Sequence, residues 1–139
     1  MPHRLKVYFL RTITKPYWVI KRWALPIALL YTVALTFVSL INIGGVPELG
    51  SSMDDKIYHV FAYVVFVWVL HNYFRNTAFK NTILISVCTA IIYGIILEVL
   101  QQSFTTSRVS DPYDVMANVI GVAMGVVVIF LTRNLKFNY

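Results

Sequence analysis

Eight polar residues in this very apolar chain have the chemistry of a binding site: Lys56, His59, Glu98, Gln102, Arg108, Asp111, Asp114 and Asn118. An ammonium and a guanidinium meet phosphate or carboxylate, the guanidinium in a bidentate fork. Imidazole and carboxylates exchange protons or ligate a divalent metal. Amides donate to and accept from hydroxyls and amides. Their spacing is helical. Lys56, His59 and Tyr63 fall at i, i+3 and i+7, on one helix face. Gly94, Glu98 and Gln102 are four residues apart, again on one face. Asp111, Asp114, Asn118, Gly121 and Gly125 form one continuous stripe, polar above and GxxxG below. Small residues on such a stripe let a second helix come close, so Gly94, Gly121 and Gly125 are expected at helix packing contacts. Taken singly, each polar residue reads equally well as a structural group. His59 can hydrogen-bond a neighbouring carbonyl, and Glu98 can sit in a buried pair. Their convergence carries the functional reading.

The elements that must position these residues are four apolar stretches, Ala24 to Ile43, Ile57 to Phe74, Thr82 to Phe104 and Tyr113 to Thr132. Each is long enough to cross a hydrocarbon core of about 30 Å as a helix. Glu98 then lies about 9 Å from the end of its helix, at a rise of about 1.5 Å per residue. An unpaired carboxylate there is costly, so it should find Arg108, Lys56 or His59. Of the twelve basic residues, all but Lys56 and Arg108 lie at one end of the hairpin bundle, and all six acids lie at the other. The positive-inside rule places both termini in the cytoplasm and the polar cluster outside. The expectation is an all-α membrane protein, a four-transmembrane-helix bundle that is multi-pass in the cell membrane.

Three segments are expected: a basic and aromatic interfacial stretch at 1–23, the membrane domain at 24–132, and a short basic tail at 133–139. Residues 1–23 interleave Tyr8, Phe9, Tyr17, Trp18 and Trp23 with Arg and Lys, which suits a segment lying along the inner leaflet. Pro26 is expected in the first turn of span one, where a missing N–H costs little. Asn42 to Pro47 reads as a turn, and Asp111-Pro112 as a helix start. The short connection from Arg75 to Asn81 makes spans two and three antiparallel neighbours. With 58% hydrophobic residues, 13% charged and a mean hydropathy of +0.69, no stretch can bury a soluble core of its own. The pI near 9.6 reflects juxtamembrane Lys and Arg facing anionic lipid, not nucleic acid. The single cysteine, Cys88, excludes an intramolecular disulfide.

Read in order, Asp55-Lys56-x-x-His59, Glu98-x-x-Gln101 and Arg108-x-x-Asp111-x-x-Asp114-x-x-x-Asn118-x-x-Gly121 resemble the VanZ-like family over about residues 54 to 126. The ordered set is specific, although no single element is. The resemblance implies an integral membrane protein that contributes to resistance against the glycopeptide antibiotic teicoplanin. It brings no catalytic residues with it.

Three function classes stay open on the residues. The first is a binding module for membrane lipid, a lipid-linked cell-wall precursor or an antibiotic. The second is a membrane-surface enzyme using His59, Glu98, Asp111 and Asp114 as acid and base or around a divalent metal. No HExxH, GxSxG or P-loop motif supports it, and no cofactor or resident metal is expected. The third is a proton-linked transporter, which would need a homo-oligomer because the inner halves of the spans are almost wholly apolar. The topology has a direct test. In a chain lacking Cys88, Phe137→Cys should react with an impermeant thiol reagent only after the cells are permeabilised. Labelling in intact cells would refute the orientation.

Overall fold

The computed structural model of the protein describes residues 15–40, 54–104 and 112–135. They form four helices: α1 (Lys15–Leu40), α2 (Asp54–Phe74), α3 (Thr82–Phe104) and α4 (Pro112–Leu135). No strand occurs among the described residues. Each helix holds an apolar run long enough to span a bilayer, the shortest being Arg22–Leu40 at 19 residues. Large apolar side chains cover the outside of the bundle, including Leu30, Val33, Phe61, Ile92, Val127 and Leu131. Lipid satisfies that surface, while the helices satisfy their own backbone hydrogen bonds. The chain is an all-helical, multi-pass membrane protein.

One expectation about α1 is corrected. The helix begins at Lys15 and continues through span one, so Pro26 lies inside it rather than in its first turn. The segment ahead of Pro26 contains no glycine or second proline after Pro16 to stop a helix, and one missing hydrogen bond does not end a helix that packing supports. The turn read at Asn42 to Pro47 lies outside the described residues.

The α2–α3 connection is closed by its own polar groups. Arg75 N–H donates to His71 O at 2.9 Å, and the Thr77 hydroxyl donates to Phe74 O at 2.6 Å, satisfying carbonyls at the end of α2. Phe79 then packs edge-on against Phe74, with centroids 5.8 Å apart. The Ile85 N–H reaches back to Asn81 O at 3.1 Å and starts α3.

Helices α2 and α3 touch each other and both flanking helices, whereas α1 and α4 do not meet. The most extensive contact joins α2 to α4. Both helices begin at the polar end, so they run parallel, and glycine brings them together. A methyl group on Gly121 would press on the Val60 carbonyl oxygen and stand 2.9 Å from Tyr63 Cβ. One on Gly125 would overlap the Val67 side chain and stand 2.9 Å from the Val64 carbonyl oxygen. On α3, Gly94 makes room for the Tyr63 ring, whose Oη would lie 2.9 Å from an added Cβ. Beneath these contacts Tyr63, Phe66, Val67, Leu70, Ala90 and Val122 form the core. Phe66 stacks on Tyr31 at 5.9 Å and tilts against Tyr93 at 5.3 Å.

Hydrogen bonds help to hold helix α1. Tyr31 Oη donates to Ala62 O at 2.8 Å, and Tyr93 Oη lies 3.2 Å from Thr32 O and bonds the Thr36 hydroxyl. Gln101 Nε2 donates to Ser39 O at 2.8 Å. Lipid offers these groups no competing partners, so such bonds hold helices together where apolar burial cannot.

The α2–α4 contact yields a stability prediction. Gly121→Ala should destabilise the bundle by about 1–3 kcal/mol, because the Val60 backbone cannot yield without moving α2. Ala123→Leu, at an exposed position of the same helix, should leave the midpoint nearly unchanged. Thermal unfolding of the two purified variants in one detergent provides the comparison.

Candidate functional site

The polar end is built from the first turns of α2 and α4 and the last turns of α3. The parallel register of α2 and α4 sets its geometry. Asp55 and His59 are one turn apart on α2, and Asp114 and Asn118 are one turn apart on α4. The glycine contacts below bring the two pairs level. The N-terminal turn of each helix is a position that suits an acidic residue such as Asp55 or Asp114. The C-terminal half of α3 adds Glu98 from the side.

His59 occupies the centre. Its Nδ1 lies 3.0 Å from Asn118 Oδ1 and 4.0 Å from Glu98 Oε1. The amide oxygen only accepts, so Nδ1 donates to it, and in the neutral ring Nε2 keeps its lone pair. The Asn118 side chain also lies within reach of the Glu98 carboxylate. Glu98 is 4% exposed, and its Oε2 is buried without a hydrogen-bond partner. Of the partners expected for Glu98, His59 is found beside it among the described residues, and Arg108 lies outside them. Towards the surface, Lys56 Nζ lies 3.9 Å from Asp114 Oδ1 and 5.9 Å from the centre of the Tyr113 ring.

Two members of the cluster were named in the sequence reading but not among its eight candidate site residues. Asp55 faces His59 and Asp114, and one ligating atom from each of the three lies within 4.8 Å of the others. This is the group among the described residues best arranged to hold a metal. The signal for Asp55 was its four-residue spacing to His59, but Lys56 at three residues fits the same face and drew the assignment. Tyr63 is the second: its buried Oη has no hydrogen-bond partner and lies beside Gly94, one turn from Glu98.

Gln102 is exposed, while Gln101 is buried and bonds Ser39. At about 100° per residue, the two glutamines flank the Glu98 line by roughly 40° and 60° on opposite sides. Helix α1 offers an acceptor on the Gln101 side. Arg108 and Asp111 lie outside the described residues. At the opposite end, His71 is buried within electrostatic reach of Arg75 and Arg133, a polar group that the reading of an apolar inner half passed over.

The His59–Glu98–Asn118 network makes a measurable claim. Removing His59 strips a buried carboxylate of its basic neighbour, a change that costs about 3–5 kcal/mol in buried pairs. His59→Ala should therefore destabilise strongly, and Glu98→Gln less. The double variant should be more stable than the sum of the two effects predicts, with a coupling of at least about 0.5 kcal/mol. Unfolding midpoints of the four proteins in one detergent read out the cycle, and additive effects would contradict the contact.

Comparison with known proteins adds one assignment. The model of the VanZ/LLP1 family matches residues 11–133, a range that takes in nearly all of the four helices and the polar end between them. No curated protein and no solved structure matches the chain. With the ordered polar residues of α2, α3 and α4 inside the matched range, the chain belongs to the VanZ/LLP1 family.

Proposed function

We propose that the protein sits in the cell membrane with both termini inside and binds, at its outward-facing polar end, the head group of a lipid-linked envelope molecule. A cell-wall precursor, or an antibiotic that engages one, has the required chemistry. Through that binding the protein contributes to glycopeptide (teicoplanin) resistance.

One observation carries this reading. Three helices direct Lys56, His59, Glu98, Asp114 and Asn118 into one contiguous cluster at one level, although packing four apolar helices requires none of them. Several ionisable groups gathered in an apolar bundle favour a site over a scaffold. Arg108 and Asp111 stand three to six residues ahead of Asp114 and extend the cluster along the chain. The ten-to-two distribution of basic residues supports the outward orientation. The apolar flanks of α2 and α4 suit a ligand whose tail stays in the bilayer, with its head group drawn in from the side.

The test combines binding and phenotype. Arg108→Ala, Asp114→Ala and Glu98→Gln are compared with wild type for retention of a polyprenyl phosphate in nanodiscs. Teicoplanin susceptibility of a deletion strain carrying each variant is measured in parallel. The expected result is loss of retention and protection with normal membrane abundance. Full retention and protection in all three variants, or loss that tracks abundance alone, would refute the binding role.

A further inference from the structure

We propose that His71, Arg75 and Arg133 form a binding site for a phosphate oxyanion at the end of the bundle opposite the polar cluster. Three elements meet there: α2 ends at Phe74, α3 begins at Thr82 and α4 ends at Leu135. His71 occupies the last turn of α2 and Arg133 the last turn of α4. Arg75 follows directly on α2, its N–H bonded to His71 O at 2.9 Å. Both guanidiniums lie within electrostatic reach of the His71 ring, and the Thr82 backbone stands beside it.

Three observations point to an anion rather than to packing alone. First, His71 is 4% exposed, and neither of its ring nitrogens has a hydrogen-bond partner. A neutral imidazole carries one N–H and one lone pair, and burying both unused is costly. The Thr82 backbone lies beside the ring without hydrogen-bonding it. Second, the sequence puts cations here and no acid. No Asp or Glu occurs between Lys56 and Leu97 or after Asp114. Two like charges brought beside one ring repel each other, and an anion between them turns repulsion into attraction. Arg75 has contacts of its own, but a guanidinium carries five N–H donors and can serve an anion besides them. Third, the donors suit phosphate. Each guanidinium can hold two phosphate oxygens in a fork, and the imidazole N–H can donate to another. The opening N–H groups of α3, a helix of 23 residues, add favourable polarity at the same level.

The ring is covered, whereas Arg75 and Arg133 are exposed. The guanidiniums therefore meet the anion first, and rotation of their side chains lets a phosphate oxygen reach the imidazole. A lipid phosphate and a free phosphate share this chemistry. Leu84 at the start of α3 and Phe130 and Leu131 near the end of α4 are exposed apolar residues at about the same level, where an acyl chain can lie. A lipid phosphate is thus the better match. The site is remote from the ligand cluster proposed above and does not depend on it.

The experiment uses the full chain in phosphatidylcholine nanodiscs at about pH 8, where an ordinary imidazole is neutral. Phosphatidic acid is the lipid probe, scored by native mass spectrometry as lipid retained by the chain. Inorganic phosphate is the soluble probe, followed by broadening of its phosphorus resonance. Wild type should retain phosphatidic acid saturably. Arg133→Gln and His71→Phe should each weaken retention about tenfold, the value of a hydrogen bond to a charged group. His71→Phe changes no charge at this pH, so a general attraction to basic residues would ignore it. Arg133→Lys keeps the charge but loses the fork, and should recover only part of the affinity. Arg133→Gln guards against misfolding: the residue is exposed, so the variant should keep the wild-type unfolding midpoint and still lose retention. Ser103→Ala, exposed on the other end of α3, should leave retention unchanged. Saturable inorganic phosphate binding that Arg133→Gln abolishes, without lipid retention, supports the site and assigns it to a soluble anion. Absence of saturable binding of both probes by wild type, unchanged binding in Arg133→Gln, or full affinity in either charge-conserving variant would overturn the proposal.

Discussion

The close parallel contact of α4 with α2 is the constraint on which the polar end depends. Lipid tails are as apolar as the helices, so association needs dense packing rather than escape from water. Gly121 and Gly125 supply it by letting α4 approach the backbone at Val60 and Val64. Because the two helices are parallel, their contacts advance along both in the same direction. Gly125 meets Val64, Gly121 meets Val60, Asn118 meets His59, and Asp114 comes level with Asp55. The glycines contain no chemistry, yet they set the register that places one pair of polar side chains opposite the other. A shift of α4 by one turn would keep much of its apolar surface in lipid but would part Asn118 from His59.

That register gathers groups whose charges the membrane would otherwise penalise. The arrangement is graded with depth. Lys56 and Asp114 pair nearest the surface, where the Lys56 side chain retains some exposure. His59, Asn118 and Glu98 lie further in and rely on directed contacts with one another. Below them Gly94 and Tyr63 close the cluster against the aromatic core around Phe66. Glu98 is the member for which the compensation is least complete, since one of its oxygens has no partner. A scaffold would be expected to finish such a network or omit the carboxylate, because half-satisfied buried polar groups weaken a fold. On the binding reading proposed above, a ligand would complete the network at that oxygen.

Much of this architecture was legible in the sequence because its signals were periodic. The ends of α2 and α3 at Phe74, Thr82 and Phe104, and the start of α4 at Pro112, follow from where polar and turn residues interrupt the apolar runs. The stripe from Asp114 to Gly125 was legible for the same reason. What periodicity could not show was which helix each stripe meets. Asp55 and Lys56 both lie near the His59 face, and only the position of α4 shows that Asp55 joins His59 and Asp114. Gln101 and Gln102 straddle the Glu98 line, and only the position of α1 decides between them. The helical start of α1 at Lys15 was not legible for a different reason. Basic and aromatic residues suit an interfacial helix and the cytoplasmic end of a spanning helix equally well.

The placement of α1 completes the argument about access. It is fastened to α2 at Ala62 and to α3 through Tyr93 and Gln101, and it makes no contact with α4. The polar cluster lies between α2, α3 and α4, away from that brace. On α4 the residues that alternate with the inward stripe, Tyr113, Met116 and Ile120, are exposed beside it. Lys56 lies against the Tyr113 ring at the rim, where aromatic and basic side chains meet head groups. Interhelical hydrogen bonds thus fasten α1 to α2 and α3, and apolar surface flanks the charged cluster. A molecule with a charged head and an apolar tail matches both surfaces at once, which neither a soluble ion nor a plain hydrocarbon does.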